Sequence, residues 1–152
     1  MSQNNWKKIN QEICNVKVLL LGPARGFVKK EFEKNKIDYR HLYVDDTKEV
    51  SKMYKALDLY LVCSREEGGP KALLESLASG VPLITTNVGM APDLNDGKSL
   101  IMVNDYDEIS RNAKNIYVNK NFKKKLIENG IQHAEKFSIK NLINEYEGLW
   151  SR

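Results

Sequence analysis

Cysteine, histidine and proline are scarce in this 152-residue chain, with two, two and four copies, and no apolar stretch approaches the length of a membrane span. Cys14 falls on an apolar helical face and Cys63 in an apolar run. Both read as reduced thiols, and two cysteines cannot build a disulfide scaffold. His41 and His133 lie far apart and have no cysteine or carboxylate at ligand spacing, so no metal site is expected. The opening residues 1–8 lack the apolar core of a signal peptide, and the expected location is the cytoplasm. Lysine and arginine together number 24 against 20 carboxylates, a net charge of +4. The positive charge is spread out, with small clusters at Lys29–Lys30 and Lys123–Lys125 and no interleaved aromatics, so nucleic acid is not the expected partner. These clusters read as solvated helix faces, and the surface role they leave open is weak attraction to an anionic membrane, here the inner membrane surface.

A hydrophobic share of 41% and a charged share of 29% are those of an ordinary globular protein, and the length suits a single domain spanning residues 1–152. Its organising stretch runs from Asp58 to Thr86. An apolar run ends at Ser64, a break follows at Gly68-Gly69-Pro70, and Ala72, Leu73, Leu77 and Ala78 then recur at helical spacing until Gly80. A second apolar run, Pro82 to Thr86, comes next. This predicts strand, loop, helix, stop and strand. Proline suits a helix start because it has no N–H to lose there, and glycine suits the stop because a left-handed backbone costs it little. Such a unit aims unpaired helix N–H groups at the mouth of a sheet, where an anion such as a diphosphate is received. Glu67 in the loop and Glu75 in the helix flank that position. A phosphate does not attract carboxylates, so the pair is either solvated or serves another part of the same ligand, such as vicinal hydroxyls.

Along the rest of the chain, Trp6, Ile9 and Ile13 predict a helix from Trp6 to Cys14. Val16 to Leu21 reads as a strand buried on both faces, ended by Gly22-Pro23. Gly22 to Gly26 is glycine-rich and basic after a strand, which makes Gly22 and Arg25 candidates for a phosphate loop or a plain turn. A helix is expected from Gly26 to Asn35, a strand from Arg40 to Val44 opened by His41 as a packing residue, and a helix from Thr47 to Ala56 capped by Thr47. After Thr86 come a turn-rich loop from Asn87 to Asp93, a turn and a last strand from Asp96 to Val103, and helices over residues 106–118, 121–136 and 139–150. Alternating strands and helices define an α/β fold: a Rossmann-like parallel sheet with helices on both faces.

The run Ser64-Arg-Glu-Glu-Gly-Gly-Pro-Lys-Ala-Leu-Leu-Glu75, followed by Ala78-Ser-Gly-Val-Pro-Leu-Ile-Thr-Thr86, resembles the donor-binding signature of retaining glycosyltransferases of family 4, which are built from two Rossmann-like domains (the GT-B arrangement). The resemblance is tight over about two dozen positions and looser from Lys17 to the end. It implies a nucleotide-sugar donor, no metal and no further cofactor. On these positions Glu67 would hold sugar hydroxyls, the backbone of Gly68, Gly69, Pro70, Lys71, Ala72 and Leu73 would meet sugar and diphosphate, and Glu75 would hold the ribose. Tyr43 and Val44, after their strand, would lie beside the nucleobase. No catalytic base is implied. The chain departs from the family at Asp93, where a glutamate is usual, and at Leu100, where a glycine is usual.

The resemblance also implies two absences: the amino-terminal half that binds the acceptor, and a central strand whose loop carries an arginine and a lysine for the diphosphate. The partners expected are therefore the donor, that amino-terminal half, and a glycan or lipid-linked acceptor. Two other readings remain open, a sugar-nucleotide epimerase-like domain and a non-catalytic nucleotide-binding module. The isolated chain is expected to bind donor weakly and to lack activity. Without the central strand, Val16 to Leu21 and Leu59 to Val62 would each lose a neighbour, and they are expected to close up and pair in part.

Overall fold

A computed structural model describes residues 9–13, 15–23, 26–66, 68 and 71–150, with the backbone alone at 106, 144–146 and 148–150. Its elements are α1 (residues 9–12), β1 (Val18–Leu21), α2 (Gly26–Lys34), β2 (Tyr39–Leu42), α3 (Thr47–Lys55), β3 (Tyr60–Val62), α4 (Ala72–Ala78), β4 (Leu83–Thr86), α5 (Ala91–Leu94), β5 (Ile101–Val103), α6 (Tyr106–Val118), α7 (Lys120–Lys136) and α8 (Ile139–Trp150). Strands alternate with helices as expected, and most boundaries fall within one or two residues of those read from the sequence. Cys14 and the start of the first helix lie outside the described residues. The loop expected after Thr86 contains a single helical turn, α5, with Pro92 at its start, where a missing N–H costs nothing. The cap of α3 is Asp46 rather than Thr47: its carboxylate accepts the N–H of Lys48 at 2.7 Å, while Thr47 is already helical.

All ladders among the described residues are parallel. β1 pairs with β2 from Val18 opposite Tyr39 to Leu21 opposite Leu42, and β3, β4 and β5 form a second sheet in that order. The expected closure of the first strand onto the third is not found, since no ladder among the described residues joins β1 to β3. A cavity of about 1580 Å³ lies between them, lined by Val18 to Leu21 on one side and Leu59 to Ser64 on the other. For the same reason β1 is not buried on both faces. Each of its four residues is only half-buried, whereas Leu83, Ile84 and Thr85 of β4 are fully buried.

The core is built on the second sheet. Leu83 packs with Val62, Leu73, Leu77, Leu94 and Leu100 on one face, and its neighbour Ile84 packs with Ile9, Val103, Ile109, Ile116 and Leu126 on the other. Alternation along β4 thus feeds both clusters, and each buried leucine or isoleucine stabilises the fold by about 1.5–3 kcal/mol. The end of α4 is a complete glycine stop. Gly80, with φ +72°, donates to the carbonyl of Leu77 at 3.0 Å, and Val81 donates to that of Ser76 at 3.0 Å. At Gly130, a Cβ would stand 3.1 Å from Leu77 Cδ2 and 3.4 Å from the Ser99 carbonyl, so α7 approaches α4 by its backbone. Lys123, read as part of a solvated face, instead reaches Asp58 at 3.0 Å and ties α7 to the segment before β3.

The turn before β5 is fastened by Asp96. Its carboxylate accepts the N–H groups of Lys98 and Ser99 at 3.0 and 2.8 Å and the Ser99 hydroxyl at 2.8 Å, and it lies 3.4 Å from Nδ1 of the buried His133 on α7. Burial alone would raise this carboxyl, but the hydrogen bonds from Lys98 and Ser99 and the field of His133 outweigh it and bring it down to about 2.

Two outcomes follow for stability. Replacing Gly80 by alanine forces a side chain into the left-handed region and is expected to cost about 1–2 kcal/mol in urea unfolding. An unchanged midpoint would show that the helix stop can be remodelled at no cost. Because Asp96 titrates lower in the folded chain than in the unfolded one, its stabilisation is complete above the ordinary carboxylate range and is lost as pH falls from about 4 through about 2. Asp96→Asn is expected to be less stable at pH 7 and to lose less stability over that acid interval; identical acid profiles for the two proteins would remove Asp96 as the cause.

Candidate functional site

The motif region is built by the β3–α4–β4 crossover. β3 ends at Val62, and α4 starts at Ala72 with Lys71 in front of it. The loop's start is held by Thr86 at the end of β4, whose hydroxyl donates to the Ser64 carbonyl at 2.7 Å. Glu67, Gly69 and Pro70 lie outside the described residues, as does Arg25. Gly68 is exposed, and among the described residues nothing comes within 4 Å of where its Cβ would be. Leu73 contributes its side chain to the core, which fixes the first turn of α4. With seven residues, α4 has a modest dipole, and its first intrahelical donor is the Glu75 N–H, bonded to the Lys71 carbonyl at 3.0 Å.

Glu75 is exposed but not loose. The hydroxyl of Tyr54, a buried residue of α3, donates to Glu75 Oε2 at 3.1 Å. The Tyr54 ring meets that of Tyr60 edge to face, with centroids 5.4 Å apart. Burial, reinforced by the neighbouring Tyr60 hydroxyl and the Glu75 carboxylate, pushes the Tyr54 hydroxyl far above its ordinary range, so it remains a neutral donor at any physiological pH. Cys63, next to the motif, is an inert free thiol, pushed up to about 11 mainly by burial.

Gly22, Tyr43 and Val44 sit together at the carboxyl end of the β1–β2 ladder. The Gly22 N–H donates to the Leu42 carbonyl at 3.1 Å, and the Nε2 of His41 donates to the Gly22 carbonyl at 2.7 Å. Gly22 has φ +91°, a conformation that explains the glycine. His41 is therefore a fastener of this loop rather than a packing residue at a strand start. Tyr43 is 63% exposed, with its hydroxyl raised by a hydrogen bond to Asp45. The described candidates thus form two groups at strand ends, Gly22 with Tyr43 and Val44, and Gly68, Lys71 and Ala72 with Glu75. Sequence reasoning missed Tyr54, Thr86 and His41 as supports. A tyrosine on an apolar helical stripe was the available signal, because a buried hydroxyl needs a partner.

The sequence profile of the glycosyl transferases group 1 family matches residues 4–133, and the chain belongs to that family. Among curated proteins, it is 35% identical over 81 residues to the lipopolysaccharide core biosynthesis mannosyltransferase LpsB of Rhizobium meliloti, covering 51% of this chain and 23% of that protein. It is 28% identical over 151 residues to the N-acetyl-alpha-D-glucosaminyl L-malate synthase of Bacillus anthracis, covering 95% of this chain and 39% of that enzyme. The chain thus spans well under half the length of these relatives. Among solved structures, sucrose-phosphate synthase from Thermosynechococcus elongatus superposes with a TM-score of 0.82 at 16% identity over 98% of this chain and 41% of its own. Anabaena HepE in complex with UDP-glucose superposes with a TM-score of 0.79 at 16% identity over 96% of this chain and 44% of its own. These last two share the fold. Among the described residues no helix is long and apolar enough to cross a membrane.

Removing the hydroxyl that holds Glu75 tests the geometry directly. Tyr54→Phe keeps the ring contacts and is expected to lower unfolding stability by about 0.5–1.5 kcal/mol in urea titration. A variant as stable as the parent would mean that the Tyr54–Glu75 bond contributes nothing net to the fold.

Proposed function

We propose that this chain is the donor-binding half of a retaining, metal-independent glycosyltransferase that moves a sugar from a nucleotide-sugar to a glycan or lipid-linked acceptor. The observation that carries the reading is Glu75, a motif carboxylate at the mouth of the β3–α4 crossover with one oxygen accepting the Tyr54 hydroxyl. In this reading Oε1 is offered to the ribose hydroxyls, Glu67 takes hydroxyls of the sugar, and the backbone from Gly68 to Leu73 receives the diphosphate. Gly22 and Arg25 contribute from the loop after β1, and Tyr43 and Val44 border the base. The arrangement binds and orients; no side chain is assigned as acid or base. In this reading an amino-terminal half supplies the acceptor site. The fold shared with UDP-glucose-bound HepE makes a uridine diphosphate sugar the first donor to try.

Ligand-observed NMR with UDP and UDP-glucose provides the measurement. Glu75→Ala is expected to weaken nucleotide binding by about 1–3 kcal/mol, the range for a hydrogen bond to a charged group, and to leave the helix intact, since alanine is the better helix former. If the alanine variant binds UDP as well as the parent does, Glu75 is not the ribose acceptor.

A further inference from the structure

An exposed glutamate on a helix ordinarily samples several rotamers, and a ligand that needs it in one of them bears the cost of ordering it. For Glu75 that ordering is done within the chain. Tyr54 on α3 is 5% exposed, and its hydroxyl donates to Glu75 Oε2 at 3.1 Å, across 21 residues of sequence and between two helices. Tyr54 is itself held, because its ring meets that of Tyr60 on β3 edge to face, with centroids 5.4 Å apart and planes at 69°. The donor is buried and packed while the acceptor is exposed, so the bond fixes Glu75 rather than the reverse.

The bond leaves the carboxylate usable. An ionised carboxylate has two oxygens and about four lone-pair sites, and the Tyr54 hydroxyl takes one of those on Oε2. Oε1 and the remaining site of Oε2 stay available to a ligand. Two neighbouring acceptors held in one plane match the two vicinal hydroxyls of a ribose, and a carboxylate already held in place offers them without a further loss of rotamer freedom. A bond that merely tied α3 to α4 would act on stability alone. One that orders Glu75 for a ligand would act on affinity as well, and only for ligands that carry the hydroxyls.

We propose that Tyr54 is a positioning residue for the ribose: it holds Glu75 in the rotamer that accepts the vicinal hydroxyls, and thereby makes the site prefer ribonucleotides to their deoxy forms. The inference rests on the donor-site reading of Glu75, and it goes further by assigning the sugar preference to a residue of α3, outside the Ser64–Thr86 motif. Ordering one rotamer-rich side chain in advance is worth about three- to tenfold in affinity. A nucleotide without ribose hydroxyls draws nothing from it, which separates this role from any general effect on the fold.

The experiment is a double-mutant cycle in nucleotide affinity, read by ligand-observed NMR on the parent, Tyr54→Phe, Glu75→Ala and the double variant. Each is titrated with the tightest binder among UDP, GDP and ADP, and with the 2′,3′-dideoxy form of that nucleotide. Tyr54→Phe is expected to weaken the ribonucleotide by about three- to tenfold, to leave the dideoxy form unchanged, and to have no further effect in the Glu75→Ala background. Equal weakening of both nucleotides would show a general loss of structure. Unchanged ribonucleotide binding would show that the bond serves the fold alone, and tighter binding that Tyr54 competes with the ribose. Each of these overturns the proposal, and with Glu75→Ala still weakening the ribonucleotide the donor-site reading stands. A Glu75→Ala variant that binds as the parent does, or a parent that binds none of the three nucleotides, removes the donor-site reading and this proposal together.

Discussion

A parallel ladder cannot be closed by a hairpin, so each of the pairings β1–β2, β3–β4 and β4–β5 has to be joined by chain that crosses a face of the sheet. That requirement decides where the helices lie, why β4 is apolar on both sides, and why the loops after the strands collect at one edge within each sheet. The β3–α4–β4 crossover carries the family motif, and its precision comes from fasteners at both ends. Thr86 holds the loop where it leaves β3, and the Gly80 stop turns the chain back into β4. Glu75 is placed between them by the helix and oriented by Tyr54 from a neighbouring element.

The division into two sheets shapes the candidate site. Gly22, Tyr43 and Val44 belong to the β1–β2 ladder, while Gly68, Lys71 and Glu75 belong to the β3–α4 unit. No ladder among the described residues joins the two sheets, and α3, which follows β2, meets the β3–α4 unit through side chains: the Tyr54 hydroxyl on Glu75 and the Tyr54 ring against Tyr60. A continuous sheet would couple the two groups through backbone hydrogen bonds, which tolerate far less relative movement than a single side-chain bond does.

Much of this was legible in the sequence because it depends on local chemistry. The helix limits at residues 106–118 and 139–150, the glycine stop at Gly80 and the ordering of strands and helices follow from periodicity and backbone preference, which a one-dimensional pattern records. The motif from Ser64 to Thr86 was legible because it is contiguous. The closure expected between β1 and β3 failed for the opposite reason: whether two edges meet depends on helices packed from distant parts of the chain. Tyr54 was hidden in the same way, since its partner Glu75 is 21 residues away and on another helix. The α3 cap slipped by one residue because Asp46 and Thr47 are both good cap residues, and only the backbone angles separate them.

Burial is distributed unevenly between the halves. The fully buried residues Leu73, Leu77, Leu83, Ile84, Leu94, Val103 and Ile109 all belong to the second sheet and its helices, while β1 is half-buried throughout and α2 contributes only Phe32. Free energy of opening follows the density of buried apolar contacts. The chain should therefore behave as two thermodynamic provinces, with β1, α2 and β2 detaching at a lower cost than the β3–α7 body and a calorimetric trace broader than one cooperative transition gives.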